Sequence, residues 1–230
     1  GVKRIVLARE LGFKEIKEFR EHLPEECELE AFVHGSMCIS YSGRCLLSNY
    51  MTGRDANRGA CSQACRYKYY LVEEKRPGEY FPVVEDENGT YIMNSKDLCM
   101  IEHIPELVQS GINSLKIEGR MKSAYYVAAI VKSYREAIDS YMSDPENYEL
   151  KQEWMDNLFK VSHRRYHTGF YFGKNGEQFY DSSSYIREYD IVGIVKSYDS
   201  KTKIATIEQK NRLFDGDKVD VLRAKGSSFE

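Results

Sequence analysis

Five of the six cysteines fall within one run of sixty-two residues, in the order Cys38-x6-Cys45-x15-Cys61-x3-Cys65-x33-Cys99. Thiols this dense in a chain of ordinary globular composition point to four chemistries: a disulfide framework, a zinc site, an iron–sulfur cluster or a nucleophile. Thiolates in fours suit zinc and iron alike. Zinc ribbons draw on two tight Cys-x2-Cys knuckles, whereas the spacings here are six, fifteen, three and thirty-three. That pattern favours a cluster over zinc. Cys27 sits among acids in Pro24-Glu-Glu-Cys-Glu28 and reads as an inert thiol. A cysteine nucleophile would need a histidine with an orienting partner, and a zinc protease would need His-Glu-x-x-His. No protease-like local motif is present, and no His-Glu-x-x-His occurs.

Charge beside the cysteines is uneven. Between residues 44 and 76, Arg44, Arg54, Arg58, Arg66, Lys68, Lys75 and Arg76 face only Asp55, Glu73 and Glu74, in a chain of net charge -3. Such a stretch either grips phosphate or is a solvated face. With 42% hydrophobic residues, the chain can bury a true core. No apolar run approaches the roughly 18 residues of a membrane span, and no signal peptide opens the chain. We therefore expect a cytoplasmic protein with reduced thiols and no membrane partner.

The elements that must position these groups follow from periodicity. Strands are expected at Val2–Ala8, Glu28–Val33 and Asn113–Ile117. Helices are expected at Phe13–Leu23, Ile101–Ser110, Ser123–Met142 and Leu150–Val161. Within the cysteine-rich stretch, Tyr67–Val72, Tyr80–Val84 and Thr90–Met93 alternate like antiparallel strands, with Asn88-Gly89 as a hairpin turn. The alternation predicts an α/β fold: the C-terminal part of a (β/α) TIM-like barrel over residues 1–161, with a cysteine-rich insertion at about 35–100. Residues 162–189 read as a linker. Short strands at Ile191–Val195, Ile204–Ile207 and Lys218–Leu222 read as the start of a small β-barrel over 190–230. The chain opens on Gly1 with no Met and starts and stops close to strands, so a piece of a longer protein is expected.

If the strands belong to a barrel, residues just after them face the site. Arg9 and Glu10 follow the first strand; Glu118 and Arg120 follow Asn113–Ile117. Their alternative role is a salt bridge or helix cap. Arg44 and Arg66 are further candidates for binding substrate. His34, at a strand end, is either a proton donor or a structural hydrogen-bonder. His163-Arg-Arg-Tyr-His-Thr-Gly-Phe-Tyr-Phe172 interleaves cations with aromatics, which either stack bases or pack between domains.

The stretch Glu30-x-Phe32-x-x-Gly35-Ser36-Met37-Cys38-x4-Gly43-x-Cys45-x-Leu47-Ser48 resembles the signature of the collagenase-like peptidase family U32. Further stretches agree: 57–66 around Cys61 and Cys65, Met93–Leu98, Leu115–Arg120, Ser162–Arg164 and Thr168–Tyr171. The resemblance covers nearly the whole chain and implies that the N-terminal part of the barrel and the end of the C-terminal barrel are missing. It implies oxygen-independent hydroxylases carrying a 4Fe-4S cluster, despite the peptidase label. The branch it points to makes 5-hydroxyuridine at the tRNA wobble position with prephenate as co-substrate, so tRNA is the expected partner. An arginine at position 9 would suit a small carboxylate ligand of that kind through paired hydrogen bonds. The resemblance assigns the cluster to Cys38, Cys45, Cys61 and Cys99, with Cys65 as alternate. Cys99 otherwise reads as a buried thiol opening a helix. Two other functions stay open: a peptidase, and an RNA-binding module with structural metal.

Overall fold

The computed structural model describes the chain apart from residues 39, 68–69, 73, 76, 79–80, 83–95, 174–185, 188, 225, 227 and 229–230. The strands in chain order are β1 (Arg4–Val6), β2 (Glu28–Ser36), β3 (Tyr70–Leu71), β4 (Phe81–Pro82), β5 (Asp97–Cys99), β6 (Ser114–Ile117), β7 (Tyr166–His167), β8 (Gly193–Asp199) and β9 (Ile204–Gln209). The helices are α1 (Phe13–His22), α2 (Leu47–Thr52), α3 (Ile104–Gln109), α4 (Ala124–Ser143) and α5 (Gln152–Phe159). The fold is mixed α/β, and among the described residues no helix is long and apolar enough to cross a membrane.

The main sheet is organised by β2. It pairs parallel with β1, from Arg4↔Glu28 to Val6↔Glu30, and parallel with β6, from Glu30↔Ser114 to His34↔Ile117. Its end pairs antiparallel with β5, from His34↔Cys99 to Ser36↔Asp97. Glu30 and His34 each pair on both sides, so β1 and β5 share one edge of β2 and β6 takes the other. The register shifts between Phe32 and His34, a bulge that re-aims the end of the strand. The Tyr171 hydroxyl donates to the Phe32 carbonyl at 2.7 Å, satisfying a backbone group between the two partners. Strand β7 extends the sheet beside β5.

The helices cover one face. On α4, Tyr126, Ala129, Ile130, Ser133, Tyr134, Ala137 and Tyr141 are buried, the stripe expected of an amphipathic helix. Ser123 caps it by accepting from Tyr126 N at 3.1 Å. Helix α1 stops before Pro24, and Arg20 closes that turn on the carbonyls of Leu23, Pro24 and Cys27. Leu29, Val33, Met100, Ile104, Leu107, Ile130 and Leu158 are fully buried between sheet and helices.

Several expectations change. Cys99 does not open a helix; it ends β5, and a 3-10 turn over 101–103 precedes α3. β2 runs three residues further than expected because β5 pairs with its end. α2 arises inside the cysteine-rich stretch, where no helix was expected. Residues 162–173, read as linker, contribute β7 and bury His163, Arg164 and Tyr171. Of the 163–172 aromatics, His163 and Tyr171 therefore pack inside the body, with His163 stacked on Tyr166 at 4.5 Å, while Phe172 is exposed. Lys218–Leu222 forms no strand; it turns back on α5, where Lys160 pairs with Asp220. β8 and β9 form a two-stranded hairpin. The expected strand Thr90–Met93 and the Asn88-Gly89 turn lie outside the described residues, as do Lys68, Glu73 and Arg76.

Candidate metal centre

A cavity of about 670 Å³ opens beyond the C-terminal ends of β1, β2 and β6. Leu7, Ala8 and Arg9 line it just after β1, Phe32 and Ser36 from β2 with Met37 just after it, and Lys116 from β6 with Glu118 and Arg120 just after it. The opposite wall is the segment after β2, and from it Cys38, Cys45, Cys61 and Cys65 all line the cavity.

Local contacts place the four cysteines. Gly35 has φ +111, and a Cβ there would stand 2.4 Å from the Glu118 carbonyl. Only glycine lets the end of β2 pass β6 so closely and deliver Cys38 to the cavity. The Asn57 carboxamide clasps Cys45, accepting from its N–H at 3.1 Å and donating to its carbonyl at 3.0 Å. The buried Ser48 and Ser62 hydroxyls meet at 3.0 Å, and Ser62 N donates to Ser48 Oγ; this joins the Cys45 segment to the Cys61 segment. Gln63 takes a left-handed backbone, φ 56, which costs a non-glycine residue about 1 kcal/mol. That turn aims the Gln63 N–H at Cys61 Sγ, 3.2 Å away.

One buried guanidinium ties the whole wall down. Arg66, next to Cys65, donates to Asp97 Oδ1 at 2.9 Å and to the carbonyl of Met37, next to Cys38, at 2.8 Å. Asp97 is fully buried on β5 and also accepts from Arg164 N at 3.0 Å. Burial pushes the Asp97 carboxyl up, but Arg66, Lys122 and the Arg164 N–H together hold it below the ordinary value. Sequence reasoning missed Asp97, Asn57, Ser48 and Ser62. A charged residue in the apolar setting of Asp97-Leu-Cys-Met-Ile101 was the available signal.

Two of the thiols, Cys38 and Cys65, have their pKa raised. Burial raises Cys38, against an N–H from Ser40, and its charge is felt by Cys45 and Cys61. Burial also raises Cys65, against Arg66, with Cys38, Cys61 and Cys45 as neighbours. Among the described residues no three His, Cys, Asp or Glu side chains stand close enough together to hold a metal ion. Four thiols share a cavity here, not a coordination shell. Thiolates repel one another until a cation offsets their charge, so convergence and deprotonation belong to metal binding. In kind, number and N–H donation to sulfur, the residues fit a four-thiolate metal group.

The other expected site residues separate clearly. Cys99 does not join the four. It is buried in β5 beside Tyr134, and burial pushes its thiol up to about 12. His34 also lies away from the cavity, fully buried among Tyr126, Tyr134 and Tyr166. Burial, with Lys122 adding to it, takes its imidazole down to about 3, so it stays neutral. Glu118 and Arg120 do line the cavity. Glu118 Oε1 accepts from Arg120 N at 3.0 Å. Arg9 lines the cavity with its guanidinium 3.9 Å over the Phe32 ring. Glu10 latches the cysteine segment instead, accepting from Ser42 N at 2.8 Å. Arg66 is the staple just described. Arg44 is exposed and does not line the cavity.

A mixed sheet packed against helices, with a thiol-walled cavity at the strand ends, defines an α/β protein with a candidate metal site. Residues 1–180 match Peptidase family U32, and residues 187–230 match the Peptidase family U32 C-terminal domain. The chain belongs to peptidase family U32. It is 45% identical to tRNA hydroxylation protein P1 of Bacillus subtilis, covering 100% of this chain and 54% of that protein. It is 44% identical to a Methanocaldococcus jannaschii protein named as an uncharacterized protease, covering 96% of this chain and 55% of the other. It is 35% identical to tRNA hydroxylation protein P of Escherichia coli, covering 99% and 58%. The chain thus spans a little over half the length of these relatives. No solved structure matches it.

Proposed function

We propose that the full-length protein hydroxylates tRNA, making 5-hydroxyuridine at the wobble position without molecular oxygen, around a 4Fe-4S cluster held by Cys38, Cys45, Cys61 and Cys65. The observation that carries this reading is that these four cysteines, and not Cys99, line one cavity at the strand ends. The names of the Bacillus and Escherichia relatives supply the reaction class. When bound, the cluster would supply redox or Lewis-acid chemistry at that wall.

This chain's own residues supply the rest. The cavity volume lies in the range of small-molecule sites, about 300–1,000 Å³, and suits a base turned out of a loop. Glu118 offers a carboxylate at the cavity, steadied by the Arg120 N–H and by Gln63 Nε2 at 3.5 Å, so it can hold or accept a proton there. Exposed Arg44, Arg54 and Arg58 on the cysteine segment would meet phosphates, giving binding that weakens with salt. Prephenate enters as co-substrate through the family resemblance, the sheet is read as the last part of a (β/α) barrel, and a tRNA substrate implies a cytoplasmic location. The peptidase reading finds less support: among the described residues no histidine lines the cavity to activate a cysteine.

The test is nucleoside mass spectrometry on tRNA from a strain lacking this gene and every paralogue. Loss of 5-hydroxyuridine derivatives, restored by wild type but not by Cys65→Ser, is expected. Modified uridine that persists in that strain contradicts the reading, and peptide cleavage then becomes the activity to assay.

A further inference from the structure

The mouth of the cavity has two lips of different chemistry. On the wall side, Tyr41 lines the cavity while its side of the ring stays open to solvent, the residue being 75% exposed. Tyr41 opens a tight turn, closed by Arg44 N donating to the Tyr41 carbonyl at 3.0 Å, and Arg44 at its end is exposed. The turn is pinned to the end of β1: Ser42 N donates to Glu10 Oε1 at 2.8 Å, and Arg9 N to Ser42 Oγ at 3.4 Å. The ring therefore stands on a fixed post.

On the body side, Arg120 and Met121 follow β6, line the cavity and are exposed. The Arg120 guanidinium reaches the wall and lies over Gly59. A Cβ there would stand 3.2 Å from Nη2 and 3.6 Å from Nη1, so glycine leaves room for the flat group. Gly59 is itself held, its N–H donating to the Ala56 carbonyl at 3.1 Å. Among the described residues the guanidinium meets no acceptor. The nearby carboxylates are engaged: Glu118 by Arg120 N and Gln63 Nε2, and Asp55 by Arg58 and Asn57 N.

A single exposed aromatic is ordinary. Here, however, residues 41–51 expose Tyr41, Leu46, Tyr50 and Met51, among the exposed guanidinium groups of Arg44, Arg54 and Arg58. Aromatic faces set among cations stack bases and hold the phosphates between them. An acidic peptide would use only the cations, and an apolar helix only the rings; a nucleotide chain uses both. When one base leaves a loop to enter a pocket, its neighbours remain at the opening, which is where Tyr41 and Arg120 stand.

We infer that Tyr41 and Arg120 clamp single-stranded RNA at the mouth: the Tyr41 ring stacks on a base next to the one that enters the cavity, and Arg120, seated over Gly59, holds an adjoining phosphate. This rests on the proposed function and assigns the residues that grip the loop around the target base. Arg44, on the same turn as Tyr41, extends the phosphate track.

The test is fluorescence anisotropy of the full-length protein, purified anaerobically, with a labelled RNA hairpin whose loop carries one uridine, at stepped salt. Wild type is expected to bind it, and Tyr41→Ala to bind roughly tenfold more weakly, the loss of one stacked base; Tyr41→Phe should keep the affinity. Arg120→Gln should also lose roughly tenfold, with a salt slope smaller by about one phosphate contact, and Arg120→Lys should fall between. Abasic sites on both sides of the uridine should erase the effect of Tyr41→Ala and leave that of Arg120→Gln. Unchanged hairpin affinity in either Tyr41→Ala or Arg120→Gln overturns the clamp, as does a Tyr41→Ala loss that persists on the abasic loop. A fully paired duplex bound as tightly as the loop overturns it too, as does a denatured-collagen peptide bound through these residues in place of the hairpin. Both side chains are exposed, and thermal unfolding of each variant checks that the fold is intact. Clamp-dependent binding by a protein whose deletion strain keeps 5-hydroxyuridine retains this inference and removes the hydroxylation; loss of the modification in that strain, with hairpin affinity indifferent to both residues, does the reverse.

Discussion

The sheet-and-helix body and the cysteine-bearing wall are held together by different forces. The body is cemented by apolar burial: Leu29, Val33, Ile104, Leu107, Ile130 and Leu158 are fully buried, and losing any one to alanine costs about 2–5 kcal/mol. The wall buries little apolar surface, and Tyr41, Leu46 and Tyr50 are largely exposed. Its order comes from polar clasps, namely Asn57 on Cys45, Ser48 on Ser62, and Arg66 on Asp97 and Met37. A region built this way is poised to depend on a bound group for its final shape. The body can be rigid without a metal; under the proposed function, the wall would acquire its closed form with one.

The largest effect that would break this contrast lies at Asp97, where wall and body meet. Asp97→Ala leaves Arg66 charged and unpaired in a buried site, and should cost about 3–5 kcal/mol. Denaturant unfolding measures that cost, and iron content should fall with it. A variant with unchanged stability would show that the staple does not join the two regions.

A second expected effect belongs to the body alone. His34 has a folded-state pKa of about 3 against about 6.5 when unfolded. Between those values the unfolded chain binds the extra proton, so stability should fall as pH drops below about 6.5 and level off near 3. His34→Phe should flatten that part of the profile in urea titrations at stepped pH. An identical slope in the variant would place the acid sensitivity elsewhere. Asp97 adds a lower limb: its depressed pKa contributes stability that is full above about pH 4 and lost as pH falls through the folded value.

The smallest effect is confined to the wall. Asn57→Ala removes two exposed bonds to the Cys45 backbone and should cost about 1 kcal/mol. Global unfolding should barely change, while a chelator strips iron faster than from wild type. Equal stripping rates would mean that the clasp does not shape the metal site.

The body was largely legible in the sequence because periodicity reports burial. The α4 stripe and the parallel strands β1, β2 and β6 follow from it directly. The wall was legible only as a set of residue types. Cys65 and Cys99 are both plausible thiols by spacing, and what separates them is tertiary. Pairing of β5 with the end of β2 turns Cys99 into the core beside Tyr134, while the left-handed turn at Gln63 holds the Cys61–Cys65 segment on the cavity. His34 misled for the same reason: a strand-end histidine is a donor only if its side chain faces the site, and the bulge after Phe32 sends it toward three tyrosines. Glu118, Arg120 and Arg9 were legible from the rule that sites gather beyond strand ends. Arg66 was found as a charge, but its partner Asp97 decided its role.

The most direct test of which thiols form the metal centre is iron and acid-labile sulfide per chain, measured on anaerobically purified full-length Cys65→Ser and Cys99→Ser. The cavity assignment expects Cys65→Ser to lose most of the iron and sulfide, and Cys99→Ser to keep the wild-type content. Loss from Cys99→Ser with retention in Cys65→Ser would contradict it, and would mean that the thiol pointing into the core turns out to meet the metal.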